Sequence, residues 1–228
     1  MPRGSAALCG LVLALASAAG ADPGTLWARA EALDPPSELA GPVAKLLDKD
    51  AVVVTDKDGE AVLTVWFRAE IPAKATAEQV ANGLTYREVP EGTLVGAVKF
   101  ARPFVDYRKQ EIAAGVYTLR FLVQPDVGDH VGTTPHPEFL VLSPAGKDAD
   151  PDPLEPKALI KLSSASTTGG DHPGMMLLFP SSVKGAGPKL IDKGDGVKVL
   201  AVRRTVEADG RKAALGFAVT VAGHSKAR

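Results

Sequence analysis

The chain has 228 residues, with 26 lysines and arginines against 27 aspartates and glutamates, and 45% hydrophobic residues. That near-neutral balance argues against nucleic acid, whose binding leaves a basic stripe, and no polybasic cluster is present to hold an anionic membrane surface. The single cysteine, Cys9, sits so early that disulfide and thiol chemistry are excluded from the body of the chain.

Arg3 precedes an apolar run from Ala6 to Ala19, broken only by Gly10 and Ser17. The run ends in Ala16-Ser17-Ala18-Ala19-Gly20-Ala21, ahead of the polar Asp22-Pro23-Gly24. This charged, apolar, small-residue order is that of a secretory signal peptide, and the run is shorter than the roughly 20 apolar residues of a membrane span. Residues 1–21 are therefore read as a signal peptide cut after Ala21, and 22–228 as one exported domain, periplasmic or extracellular. Cys9 lies too far inside the apolar run to serve as a lipoprotein cysteine, so no membrane anchor is expected in the mature chain. A chain of this size can bury about 70% of its unfolded surface without disulfides.

In chain order, Thr25 to Leu33 reads as a short helical turn with Thr25 as its N-cap and Asp34-Pro35-Pro36 as its stop. A second short helix starts at Pro42 and carries Val43, Leu46 and Leu47 on one side. The period then changes to two. Ala51–Thr55 reads as a strand, Asp56-Lys57-Asp58-Gly59 as a hairpin turn, and Glu60 to Ile71 as the returning strand. Its apolar face, Leu63, Val65, Phe67 and Ala69, is expected in the core, which puts Trp66 on the other face, under a loop or exposed for binding. Thr76-Ala77-Glu78-Gln79 opens like a helix, although the polar stretch also suits a long loop. Further strands are expected at Leu84–Val89, Thr93–Phe100, Val116–Gln124 and Glu138–Leu142. An acidic, proline-rich surface loop at 145–156 leads to a helix over Lys157–Ser164. Strands at Met175–Phe179, Val197–Val206 and Lys212–Val221 close the chain, the last two joined at Ala208-Asp209-Gly210-Arg211. Between Pro180 and Gly196 the composition suits a loop.

Ala114-Gly115-Val116-Tyr117-Thr118-Leu119 resembles the tyrosine corner of immunoglobulin-like sandwiches, in which a tyrosine hydroxyl bonds the backbone a few residues upstream. Together with Gly128-Asp129-His130-Val131-Gly132-Thr133 and Glu138-Phe139-Leu140, it resembles a family of uncharacterised secreted bacterial β-rich proteins over about residues 63–180. The resemblance implies an exported β-rich domain and assigns no activity.

The stretch from Gln124 to Glu138 is longer than the two to five residues of an ordinary hairpin loop. It holds His130 and His136, and His172 follows an aspartate further on. Imidazole beside carboxylate suits zinc, copper or non-haem iron. The candidate metal ligands are therefore His130, His136, His172, Asp129 and Glu138, and a transition metal is the only cofactor the composition suggests. The competing reading makes Asp129 a turn-capping residue and His130 a packed one. No Gly-x-Ser-x-Gly elbow exists for a nucleophile, and Gly169-Gly170 lacks the Lys-Ser/Thr of a phosphate loop. Asp148-Ala149-Asp150-Pro151-Asp152 has calcium-like spacing but not the central Gly and terminal Glu of an EF-hand loop.

The expected fold is all-β: an immunoglobulin-like or related β-sandwich of about eight or nine strands with roughly two or three short helices. The expected role is non-catalytic, the binding of an envelope component, polysaccharide or partner protein. Candidate contact residues are Asp129, His130, Thr133, His136 and Trp66, with Tyr86 and Tyr107 behind them. The alternative is a metal-binding protein or metal-dependent enzyme using histidines of the 125–138 loop.

Overall fold

The computed structural model describes residues 24–125, 134–170 and 172–226. The signal-peptide reading of residues 1–21 lies outside them. In chain order the first strands are β1 (Trp27–Ala32), β2 (Asp50–Thr55), β3 (Ala61–Phe67), β4 (Ile71–Pro72) and β5 (Leu94–Phe100). Next come β6 (Phe104–Val105), β7 (Glu111–Ile112), β8 (Gly115–Val123), β9 (Glu138–Pro144) and β10 (Gly174–Leu177). The last are β11 (Lys189–Asp192), β12 (Lys198–Ala208) and β13 (Arg211–Ala222). Three short helices interrupt them: α1 (Gly41–Ala44), α2 (Ala77–Asn82) and α3 (Pro156–Ser163).

Seven strands form one sheet in the order β1-β2-β3-β5-β8-β9-β10, every pair antiparallel. A second sheet runs β11-β12-β13, with β4 added parallel to β12. The two share one core, because strand alternation turns an apolar face of each toward the other. Leu63, Val65 and Phe67 of β3 and Tyr117, Leu119 and Phe121 of β8 pack in the same cluster as Leu200, Val202, Phe217 and Val219 of the second sheet. The Phe67 and Phe217 rings lie 6.3 Å apart across that gap. The protein is thus mostly β, with antiparallel sheets layered on a common core.

Local chemistry explains the turns. Asp56 accepts from the Asp58 and Glu60 amides at 3.1 Å each, closing the β2–β3 turn. Asp209 and Gly210 both have positive φ, 51° and 74°, the mirror-type turn that suits the twist of a tight hairpin. At the tyrosine corner the Tyr117 hydroxyl donates to the Ala113 carbonyl at 2.9 Å, four residues upstream.

Several expectations are corrected. Residues 25–33 are not helical. The alternation Trp27-Ala28-Arg29-Ala30-Glu31-Ala32 pairs along β2, and that ladder overrides the helix preference of alanine. Leu84–Val89 is not a strand: Tyr86–Glu88 forms a 3₁₀ turn, with Thr85 and Glu88 in a reciprocal cap. The segment after Pro180 contains β11, which pairs with β12. The thirteen strands among the described residues exceed the expected number because β1 and β11 were not expected and because β4, β6 and β7 have two residues each, too few to show a period in sequence.

Tyr86 ties the two sheets together. The chain leaves β10, bridges β13 at Leu178–Val219, and the Phe179 amide donates to the Ala218 carbonyl at 2.8 Å. The buried Tyr86 hydroxyl donates to the Phe179 carbonyl at 2.9 Å and accepts from the Ala218 amide at 3.0 Å. Burial pushes its pKa up, so it stays a phenol at any physiological pH. Tyr86→Phe strands two buried backbone groups, and denaturant unfolding should show a loss of about 1–3 kcal/mol.

Candidate functional site

The outer face of the seven-stranded sheet, opposite the shared core, carries most of the features that bear on function. Two segments cover its centre. Leu39, Val43 and Leu47 pack over Ala51, Trp66 and Ala97. Trp66 is consequently only 4% exposed, and its Nε1–H donates to the Leu33 carbonyl at 3.0 Å. This corrects its candidacy as a contact residue: the indole is a post under the N-terminal segment. Tyr86 and Tyr107 are buried as well.

The second cover is the 145–156 segment with α3, and it is held by a buried cation. Arg120, in the middle of β8, has no exposed surface, and all five of its N–H donors are used. Nε and Nη2 grip the Asp148 carboxylate at 2.7 and 2.8 Å. Nη1 donates to the carbonyls of Gly92 at 2.9 Å and Asp152 at 2.7 Å, and Nη2 also reaches the Asp150 carbonyl. The Thr118 hydroxyl donates to Asp148 at 2.5 Å. Gly92 must be glycine, since its φ is 79° and a Cβ there would meet the Leu154 carbonyl oxygen at 1.9 Å. The aspartate run that has calcium-like spacing is therefore organised by a guanidinium: one carboxylate and two carbonyls converge on Arg120. The segment is also less of a free surface loop than its composition suggests, because Asp148 is 1% exposed.

The sequence-derived metal candidates fall in different places. Asp129, His130 and Thr133 lie outside the described residues. His136 stands just before β9 and packs edge-on against the Phe179 ring, centroids 4.9 Å apart. Lys193 Nζ sits 5.3 Å from the same ring. Glu138 is close enough to act on His136 electrostatically. His172 is exposed, beside a shallow recess of about 390 Å³ lined by Gln110, Thr167 and Thr168. The β9–β10 register pairs Leu142 with Gly174 and Phe139 with Leu177. His172 and His136 thus flank opposite ends of a ladder about 10 Å long, and one ion cannot take both. Among the described residues, no three His, Cys, Asp or Glu side chains are grouped to hold a metal ion.

Another buried carboxylate, Asp106, is used internally. It accepts from the amides of Arg108, Gln110 and Met175 and from the Gln110 side chain. These bonds pin the β6–β7 hairpin to β10, while burial pushes the carboxyl pKa up against them.

What the two covers leave partly open is a strip at one end of the outer face, where Arg29 and Lys99 are exposed and Thr64 is half-buried, while Val53 and Thr55 between them are buried. Register aligns Arg29, Val53, Thr64 and Lys99 across β1, β2, β3 and β5. Trp27 stands on the same face opposite Thr55 and is 50% exposed, the most exposed large hydrophobic residue described. Sequence reasoning missed both Trp27 and Arg120. Period-two alternation around Trp27, and a lone arginine inside the apolar run Val116–Leu122, were the available signals.

Comparison with protein-family models, with curated proteins and with solved structures finds no match to this chain.

Burial against Phe179 lowers the His136 pKa, opposed by Glu138 and aided by Lys193. The folded state therefore favours neutral imidazole, and the stability this contributes is present above the unfolded pKa of about 6.5 and lost as pH falls through the lower folded value. Denaturant titrations at pH 7 and pH 5 should show a larger acid-induced loss for the wild type than for His136→Gln.

Proposed function

We propose that the chain is an exported, non-catalytic binding domain whose ligand is a polysaccharide of the cell envelope. The observation that carries this reading is Trp27, half exposed on the outer sheet face that also presents the exposed Arg29 and Lys99. An exposed indole offers a rigid apolar plane to a sugar ring together with an N–H donor. Thr64, Lys99 and Arg29 supply hydroxyl and cationic donors along the same row. A polymer suits an outer sheet surface better than a small metabolite does, since small-molecule sites are concave and bury most of their ligand. The buried polar groups support a binding role over a catalytic one, because Arg120, Asp148 and Asp106 all have internal partners.

Export is supported by the charged, apolar, small-residue order of residues 1–21. An immunoglobulin-like relationship finds support in the Tyr117 corner. The large sheet departs from that pattern, since its strands follow one another almost in chain order rather than exchanging between sheets.

Affinity electrophoresis of residues 22–228 through gels containing envelope polysaccharides tests the proposal. Retardation of the wild type, and loss of about tenfold or more in affinity for Trp27→Ala, is expected for an aromatic anchor. The thermal midpoint should stay close to wild type, as for other surface changes. No retardation by any polysaccharide, or equal retardation of the variant, would overturn the reading.

A further inference from the structure

The edge of the large sheet carries a second signal, independent of any glycan. Among the described residues, β1 pairs only with β2. The Leu33 amide donates to the Lys49 carbonyl at 2.8 Å, toward β2. Backbone groups alternate sides along an antiparallel strand. The amides and carbonyls of Ala28, Ala30 and Ala32 therefore point to the free edge, with no side chain larger than a methyl at those positions. Unpaired edges of this kind are templates for another strand.

The residues between these alanines are self-complementary. We propose that β1 pairs antiparallel with β1 of a second copy of this chain, about a two-fold axis through Ala30. In this register Ala30 meets Ala30 of the second copy and Ala28 meets its Ala32, all with outward-facing backbone groups. Arg29 then stands opposite Glu31 of the second copy, and Glu31 opposite its Arg29. Those are non-hydrogen-bonded positions, where side chains approach most closely and opposite charges stabilise. Trp27 meets the half-buried Leu33. Moving the axis one residue, to Arg29 or Glu31, sets like charges face to face, so the charges select the Ala30 register. Within one copy Arg29 and Glu31 are already paired at 2.9 Å, both side chains well exposed, and such surface pairs re-form at little cost.

The dimer joins two seven-stranded sheets into one continuous sheet. It places two Trp27 side chains on a single face, six residues or about 20 Å apart along the strand direction. A six-residue edge is a small interface, so association is weak and concentration-dependent.

Sedimentation velocity of residues 22–228, from micromolar to near-millimolar protein at low salt, tests the proposal. The wild type should shift from monomer to dimer. Arg29→Glu and Glu31→Arg should each remain monomeric, because each sets like charges across the axis. An equimolar mixture of these two variants should dimerise, as should the double variant Arg29→Glu/Glu31→Arg. The mixture guards against misfolding, since a variant that had lost its structure could not be rescued by the other. A monomer at every concentration, or a dimer indifferent to charge reversal, would overturn the proposal.

Discussion

A guanidinium with no access to water, in the middle of a β-strand, constrains this structure more than any other group. Arg120 projects from β8 on the face away from the main core, where a buried charge is tolerable only if paired and fully hydrogen-bonded. The chain meets that condition by bringing Asp148 and the carbonyls of Gly92, Asp150 and Asp152 to it. Once those contacts are made, the path of the 145–156 segment is set. It must cross β8 closely enough to need Gly92, and it delivers α3 onto β9, where Leu159 packs with Val141 and Met175.

The arrangement of layers follows from this. The seven-stranded sheet has a core on both faces: the shared core with the second sheet, and an outer one under the covering segments. Tyr86 joins the two sheets at the seam, and Arg120 fastens one of the two covers. Neither cover reaches Trp27 or the edge of β1, where the proposed polysaccharide contact and the proposed pairing of copies fall. These two lie on the same strand, so polysaccharide binding and pairing of copies would use neighbouring surfaces of one element.

The hairpins were legible in sequence because they combine period-two alternation with Asp-Gly turns, as at residues 51–67 and 198–222. The Tyr117 corner was legible because its glycine and tyrosine are local. Three features were not. β1 was hidden by alanines that favour helix in isolation, and only pairing with β2 reveals its extended form. The 3₁₀ turn at Tyr86 was hidden by a β-branched and aromatic composition, although the Thr85/Glu88 cap was present. Arg120 and Asp148 are 28 residues apart, and no spacing rule links an arginine in a strand to one aspartate among many in a later loop. Composition marked that loop as exposed, and the buried cation reversed the outcome at Asp148. His136 and His172 form one narrower case: sequence grouped them as ligands of a single site, while the β9–β10 ladder holds them at opposite ends.

The most direct test of this account is the stability of Arg120→Met by denaturant unfolding, with hydrogen exchange followed over residues 145–163. Removing the guanidinium leaves Asp148 buried without its cation and three carbonyls without donors, which should cost about 3–5 kcal/mol. Exchange should rise first across the covering segment and α3, ahead of the strands of the shared core. A variant within about 0.5 kcal/mol of wild type, with exchange over 145–163 unchanged, would contradict the claim that Arg120 holds this cover in place.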